Sequence, residues 1–161
     1  MGRLHRLNAV LFGLGLVWAA VPAFAQSCSE NAVDVRGEFG KVRFRVELAL
    51  TPEEQARGLM FREEMAQLAG MLFVYPSERS VSFWMRNTLI PLDMVFIDAE
   101  GQVVRVHENA VPLDETAIPA GAPTLAVLEI NGGLARRLGI DAGDEVRSPA
   151  LPQDTAVWPC E

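Results

Sequence analysis

The stretch Lys41-Val42-Arg43-Phe44-Arg45-Val46-Glu47-Leu48-Ala49-Leu50 alternates almost without a break. Val42, Phe44, Val46, Leu48 and Leu50 fall on one face. Lys41, Arg43, Arg45 and Glu47 fall on the other. A period of two sustained over ten residues belongs to a strand with one face in a core and the other in water. It predicts a half-buried strand over 41–50. Residues 32–37 supply an antiparallel neighbour, with Glu38, Phe39 and Gly40 as the turn.

Outward from that hairpin, Thr51-Pro52-Glu53-Glu54 carries the marks of a helix start. Thr51 caps, Pro52 suits the first helical position, and Glu54 completes a capping box. The helix is expected to run to about Arg57 and stop near Gly58, with a second helical turn over 63–68. Residues 70–75 and 80–86 read as strands separated by Pro76-Ser77-Glu78-Arg79. Residues 93–98 and 102–107 form a hairpin around Ala99-Glu100-Gly101. Three prolines make 112–123 a loop. Residues 124–130 are apolar on both faces except Glu129, the pattern of a central strand. Asn131 is placed to cap a helix over 132–138, which Gly139 closes in the left-handed conformation with Ile140 folding back. A last strand covers 145–148, and Pro149, Pro152 and Pro159 mark an extended tail. Seven or so short strands with two short helices is not a βαβ pattern. It predicts a mainly β domain, α+β at the margin, built as an antiparallel barrel or sandwich.

A chain of 161 residues, half of them apolar and 22% charged, is the size and composition of one packed domain. The net charge of −7 argues against a nucleic-acid partner, which needs clustered cations. Two histidines and two cysteines cannot build a three-histidine or four-cysteine metal site, so no metal or cofactor is expected.

The first 25 residues read as an address. Arg3 and Arg6 give a positive start, 11–21 is nearly all apolar, and Pro22-Ala23-Phe24-Ala25 ends the run with small residues. This is a secretory signal peptide, cut between Ala25 and Gln26. It predicts a periplasmic or secreted protein with no stable membrane insertion after cleavage, and a mature domain over 26–161. Lipid attachment at Cys28 is disfavoured, because Ala25-Gln26-Ser27 lacks the usual apolar residue. In an oxidising compartment, Cys28 and the penultimate Cys160 suggest one disulfide joining the termini; two free thiols are the alternative. Closing so long a loop is worth about 5 kcal/mol in the chain-entropy model.

The densest chemistry lies in Phe83-Trp84-Met85-Arg86-Asn87-Thr88-Leu89-Ile90-Pro91-Leu92-Asp93. A large aromatic, a guanidinium, an amide and a carboxylate gather near one strand end. Such a set stacks on a sugar or flat ligand and hydrogen-bonds its edges. The same residues also serve a plain structural reading: Trp84 filling core, Asn87 bonding its own turn, Arg86 neutralising an internal acid. Glu129 is the second signal, because a carboxylate between Leu128 and Ile130 is costly unless paired. Arg57 and Arg86 are its expected partners. It is either half of an internal salt bridge or a ligand contact or general acid with raised pKa. Asp93, Asp98 and Glu129 are the carboxylates available to a glycosidase-like pair, although Asp98 fits the hairpin turn better. A serine triad would need His107, which falls within a predicted strand. Met60, Met71, Met85 and Met94 lie in apolar runs. With Met65 and His107 they raise a copper(I) site, but core filling explains them better.

Several motifs, in order, resemble one family. They are Arg57-Gly58-Leu59-Met60, Gly70-Met71-Leu72-Phe73, Phe83-Trp84-Met85-Arg86-Asn87-Thr88, Ile90-Pro91-Leu92-Asp93, Phe96-Ile97-Asp98 and Gly143-Asp144-Glu145-Val146. Together they are similar to the uncharacterised family called domain of unknown function 192, over about 33–147. The resemblance implies a small, often exported, mainly β single domain and no established reaction. The Pro-rich tail 149–161 lies outside it.

Three readings follow. The first is a binding module for a saccharide or cell-envelope component, with Arg57, Trp84, Arg86, Asn87, Asp93 and Glu129 around one pocket. The second is a hydrolase using two of the carboxylates. The third is a structural or interaction protein in which the same side chains only brace the fold.

Overall fold

The computed structural model describes residues 27–160; the predicted signal peptide lies outside the described residues. The alternating stretch forms β2 (Gly40–Ala49), hairpinned to β1 (Ala32–Gly37) with Val33 opposite Phe44 and Val35 opposite Val42. The chain then passes through α1 (Pro52–Arg57), β3 (Ala69–Arg79), β4 (Ser82–Phe83), β5 (Leu92–Ile97) and β6 (Val103–Ala110). It ends with β7 (Ile118–Pro119), β8 (Thr124–Asn131), α2 (Leu134–Leu138) and β9 (Glu145–Arg147). The fold is mainly β, as the alternation requires.

Seven strands form one sheet in the order β6-β5-β8-β3-β2-β1-β9, while β4 and β7 pair separately. The sheet curls into a half-barrel until its edges meet at one end. There Val103 N–H donates to the Asp144 carbonyl at 2.8 Å and Val146 N–H to the Gly101 carbonyl at 2.7 Å. β8 is central, antiparallel to both β3 and β5. It is apolar on both sides because both sides are covered. Ala126, Leu128 and Ile130 enter one core with Val33, Phe44, Leu72 and Val95. Val127 faces a second core with Phe73, Met85, Met94 and Phe96.

One strand pair departs from the antiparallel expectation: β2 and β3 are parallel. A parallel pair needs a long crossover, and residues 50–68 with α1 provide it. This is a βαβ unit that sequence periodicity misses, because a six-residue helix is too short to show a period. Its capping box forms as expected. Thr51 Oγ1 accepts from Glu54 N–H at 3.2 Å, and Glu54 Oε2 accepts from the Thr51 and Leu50 N–H groups at 2.9 Å.

Other boundaries moved. Residues 63–68 form no helical turn; the carbonyls of Met65, Ala66 and Gln67 instead accept from Asn131 Nδ2. Asn131 is therefore not the cap of α2, which begins at Leu134 after Gly133. Its C-terminus closes as read: Gly139 has φ 82°, and Ile140 N–H returns to the Ala135 carbonyl at 2.9 Å. β3 runs past Pro76 to Arg79 with a bulge between Val74 and Arg79, the place where a strand tolerates proline. Of the strand expected over 80–86 only Ser82–Phe83 is paired, with Ile118–Pro119 inside the presumed loop.

The seam between β1, β2 and β9 is held by charge. Asp34 receives Arg43 at 2.6 Å and Arg147 at 2.7 Å, its cross-strand neighbours on either side. Burial works to raise its pKa, but the two guanidinium hydrogen bonds outweigh it and hold the carboxyl below the usual value. Trp158 lies against Arg36 and Arg147, 4.2 and 4.4 Å from the guanidinium carbons. It seats the tail so that Cys160 bonds Cys28, with Cα atoms 5.7 Å apart. The tail is mostly half-buried or exposed after Leu151, so its end is expected to fray once the bond is reduced, and the native state then recovers part of the entropy. Reduction, or Cys28→Ser with Cys160→Ser, is expected to cost about 2–4 kcal/mol rather than the full chain-entropy value. Urea unfolding with and without reductant checks this. No change at all would show that the loop is constrained by other means.

Candidate functional site

The second core is a sheet face with a cover over it. Residues 58–60, 83–90 and 118–120 lie across β3, β8 and β5. Phe83 pins the cover, edge-on to Phe73 at 5.1 Å and to Phe96 at 6.1 Å. Between cover and sheet a cleft of about 110 Å³ remains. The capped helix α1 supplies Gln55 and Arg57 to one wall. β3 supplies Phe73 and Tyr75, and the segment after β4 supplies Trp84 and Arg86.

Glu129 forms the floor. In the sheet register it stands between Met71 of β3 and Met94 of β5. Only 5% of it is exposed, its carboxyl makes no hydrogen bond or ion pair among the described residues, and its oxygens stay open to the cleft rather than sealed in the core. Burial pushes its pKa up to about 8, with no compensating charge. At neutral pH it is mostly protonated. Tyr75 shares the cleft, and its hydroxyl is also pushed up. Burial is the main cause, the Arg79 charge opposes it, and the Glu129 charge adds to it.

The expected salt bridge from Glu129 to Arg57 or Arg86 does not form. Arg57 ends α1 on the rim, with no carboxylate in ion-pair range among the described residues. Arg86 is half-exposed, reaches only Glu115 at 4.0 Å, and lies 5.6 Å from the Trp84 ring centroid. Arg57 is carried by the end of α1 and Arg86 by the cover, and neither comes within ion-pair range of the floor. Trp84 does not fill core: it is 49% exposed at the mouth. The burial alternation of 83–86 persists without a paired strand, with Met85 buried and Trp84 and Arg86 outward.

Asn87 sits behind this wall. It takes the left-handed conformation at φ 55°, which asparagine tolerates in a turn. Its Nδ2 donates to Met60 Sδ at 3.8 Å, and its carbonyl accepts from Phe61 N–H at 2.8 Å. Asn87 therefore ties the cover to the α1–β3 connection.

Asp93 is on the opposite face of the sheet from Glu129. It pairs in register with Ile130, and its carboxylate is fully engaged. Oδ1 accepts from Asn109 N–H at 2.6 Å and Gly133 N–H at 2.7 Å; Oδ2 accepts from Ala135 N–H at 2.7 Å. It does the capping that Asn131 was expected to do. Asp98 accepts from the Glu100 and Gln102 N–H groups in the β5–β6 turn. Neither carboxylate joins Glu129, so the cleft holds one acid and not a pair.

Of the predicted residues, Arg57, Trp84, Arg86 and Glu129 meet at the cleft, while Asn87 and Asp93 do not line it. Sequence reasoning overlooked Tyr75, the only tyrosine of the chain. It lies two and four residues from Phe73 and Met71, on the strand face that carries the cleft. That signal becomes readable only when β3 is known to pair with β8. Met71, Met85 and Met94 are buried in the second core as expected, and His107 stands opposite Met94 on β6. Among the described residues no three histidine, cysteine or acidic side chains cluster as a metal site, and no helix is long and apolar enough to cross a membrane.

The fold recurs in known proteins. The family model DUF192, described as an uncharacterised ACR, matches residues 33–148. The chain belongs to the DUF192 family. A crystal structure of a Novosphingobium aromaticivorans protein of unknown function is 51% identical, with TM-score 0.71, covering 80% of this chain and 90% of that one. A crystal structure of a Sinorhizobium meliloti protein, a candidate transcription regulator, is 40% identical with TM-score 0.73. That match covers 78% of this chain and 98% of the other. No curated protein matches. The DUF192 match takes in every residue of the cleft, whereas both cysteines lie beyond it.

Proposed function

We propose that this DUF192 domain is an exported binding module for a small polar ligand, a saccharide or another cell-envelope fragment. The observation that carries the reading is the pairing of a half-exposed indole at the mouth with a buried, unpartnered carboxyl at the floor. The indole offers a flat face for a sugar ring, and the walls offer Gln55, Tyr75 and the arginines for its edges. A larger hollow of about 750 Å³ between the N-terminal segment and Leu68 carries no comparable group; its Arg43 is engaged by Asp34. The export signal supports an envelope ligand. The acidic balance gives no support for carrying over transcription regulation from the Sinorhizobium relative, because nucleic-acid binding needs a basic surface. A paired-carboxylate hydrolase is not favoured, since Glu129 stands alone.

Tryptophan emission tests the binding module. Trp158 is clamped by arginines, so a Trp158→Phe variant of the mature chain isolates Trp84. Envelope glycan fragments are expected to shift its emission, and Trp84→Ala to weaken binding about tenfold or more through the lost stacking. Because Trp84 and Arg86 are on the surface, Trp84→Ala and Arg86→Ala should leave the melting temperature nearly unchanged. A flat response to every fragment overturns the proposal. A large fall in melting temperature would favour a bracing role instead.

A further inference from the structure

The floor, walls and rim of the cleft differ in charge, and together they select a ligand more narrowly than a sugar ring does. Glu129 is an acid with no partner among the described residues, 95% removed from solvent, and lines the cleft. Aromatic side chains stand around the space above it: Phe73, Tyr75, Phe83 and Trp84. A buried acid beneath aromatic faces is the combination that holds an ammonium group, by ion pairing below and by ring quadrupoles at the sides. The rim has the opposite charge. Arg57 has no acidic partner among the described residues, and Arg86 has only a distant one. Guanidinium groups so placed take a carboxylate or phosphate.

We propose that the cleft binds a zwitterion, seating a cationic amine on Glu129 and an acidic group between Arg57 and Arg86. The inference rests on the reading of this cleft as a small-ligand site and names the ligand's chemistry. It also explains why the acid lacks a protein partner: the ligand brings the counter-charge. The half-open cleft of about 110 Å³ admits a short chain with an amine at its tip, while the acidic end stays at the mouth.

The charge logic has a proton signature. Free Glu129 is protonated up to about pH 8, and an ammonium ion requires the carboxylate. Binding at neutral pH therefore transfers the Glu129 proton to solvent, and the amine keeps its own. The groups facing Glu129 are Tyr75 from β3, Arg57 from α1 and Arg86 from the cover; His107 lies one strand further along the same face, beyond Met94. Burial raises the Tyr75 pKa from its ordinary value, so its hydroxyl stays neutral over this range. Burial and the Arg105 charge lower the His107 pKa against a smaller opposing effect of Asp93, so His107 is already neutral above pH 7.

The test is calorimetric titration of the mature protein with ω-amino acids of two to six carbons, beside matched alkylamines and alkanoates. It is run from pH 6 to 9 in buffers of differing ionisation enthalpy. One chain length is expected to bind best, releasing close to one proton at pH 7. Its affinity should rise about tenfold per pH unit toward pH 8 and then level off. Glu129→Gln should abolish both binding and proton release. Arg57→Ala with Arg86→Ala should reduce the amino acid's affinity to that of the matched amine. Binding without proton release, unchanged binding by Glu129→Gln, or no binding of any amine at pH 9 overturns the inference. Neutral glycans that bind where amines do not would overturn it and leave the saccharide reading standing. Failure of both ligand sets would sink both.

Discussion

Raising the pH from 5 to 9 will destabilise the protein, and the Glu129→Gln variant will not follow it down. Glu129 has a folded-state pKa of about 8, against 4.5 for an ordinary glutamate. The folded state therefore holds a proton that the unfolded state has already lost. Stability from this group is fully present below about pH 4.5, falls by about 1.4 kcal/mol per unit between the two values, and levels off above pH 8. The whole span amounts to at most about 5 kcal/mol. Glutamine has the same shape, a neutral head and nothing to titrate. At pH 5 the variant should match the wild type within about 1 kcal/mol, since each buries an uncharged polar group. At pH 9 it should be the more stable by several kcal/mol. Subtracting the two urea-unfolding series removes every other titrating group, Asp34 included. Parallel pH profiles would show that Glu129 is ionised in the folded protein, and Arg57 or Arg86 would then have to move in to pair with it.

Replacing Asp93 with alanine should cost at least about 4 kcal/mol. Three backbone N–H groups, of Asn109, Gly133 and Ala135, donate to this one fully buried carboxylate. Each donor left without an acceptor in the interior costs roughly 1–3 kcal/mol, and bonds to a charged acceptor lie at the upper end. The damage is also non-local, because Asp93 joins the start of α2 to the β6 residue beside it. Asp93→Asn tests the mechanism. Its oxygen can keep the Asn109 and Gly133 bonds, but its amide group meets the Ala135 N–H donor to donor. The asparagine variant should therefore fall between wild type and alanine. A loss below about 1 kcal/mol in Asp93→Ala would mean that water replaces the carboxylate. In that event Asp93 would return as a group accessible to ligand.

Asp93 and Glu129 show where sequence reading stops. Both are acids in apolar strands, one residue apart in register across β5 and β8, and the sequence treats them alike. The pleat sends them to opposite faces. One meets the backbone of α2 and β6, and the other meets an open cleft. Strand parity gives the face of each residue within its own strand. It does not say which face of β5 continues which face of β8, because that depends on register across segments thirty residues apart. The same limit hid Tyr75 and suggested the arginine partners for Glu129 that do not reach it.

The sequence by itself determined what short-range forces decide. Alternation made β2, a capping box made α1, and a left-handed glycine ended α2. Glu129 stood out as an anomaly on solvation cost alone. Tertiary structure decided the parallel pairing of β2 with β3, the division into two cores, and the cleft between sheet and cover. It also decided which acid is satisfied and which waits for a partner. Burial and hydrogen bonding of a side chain are set by atoms far away in the chain, and only folding brings those atoms within reach.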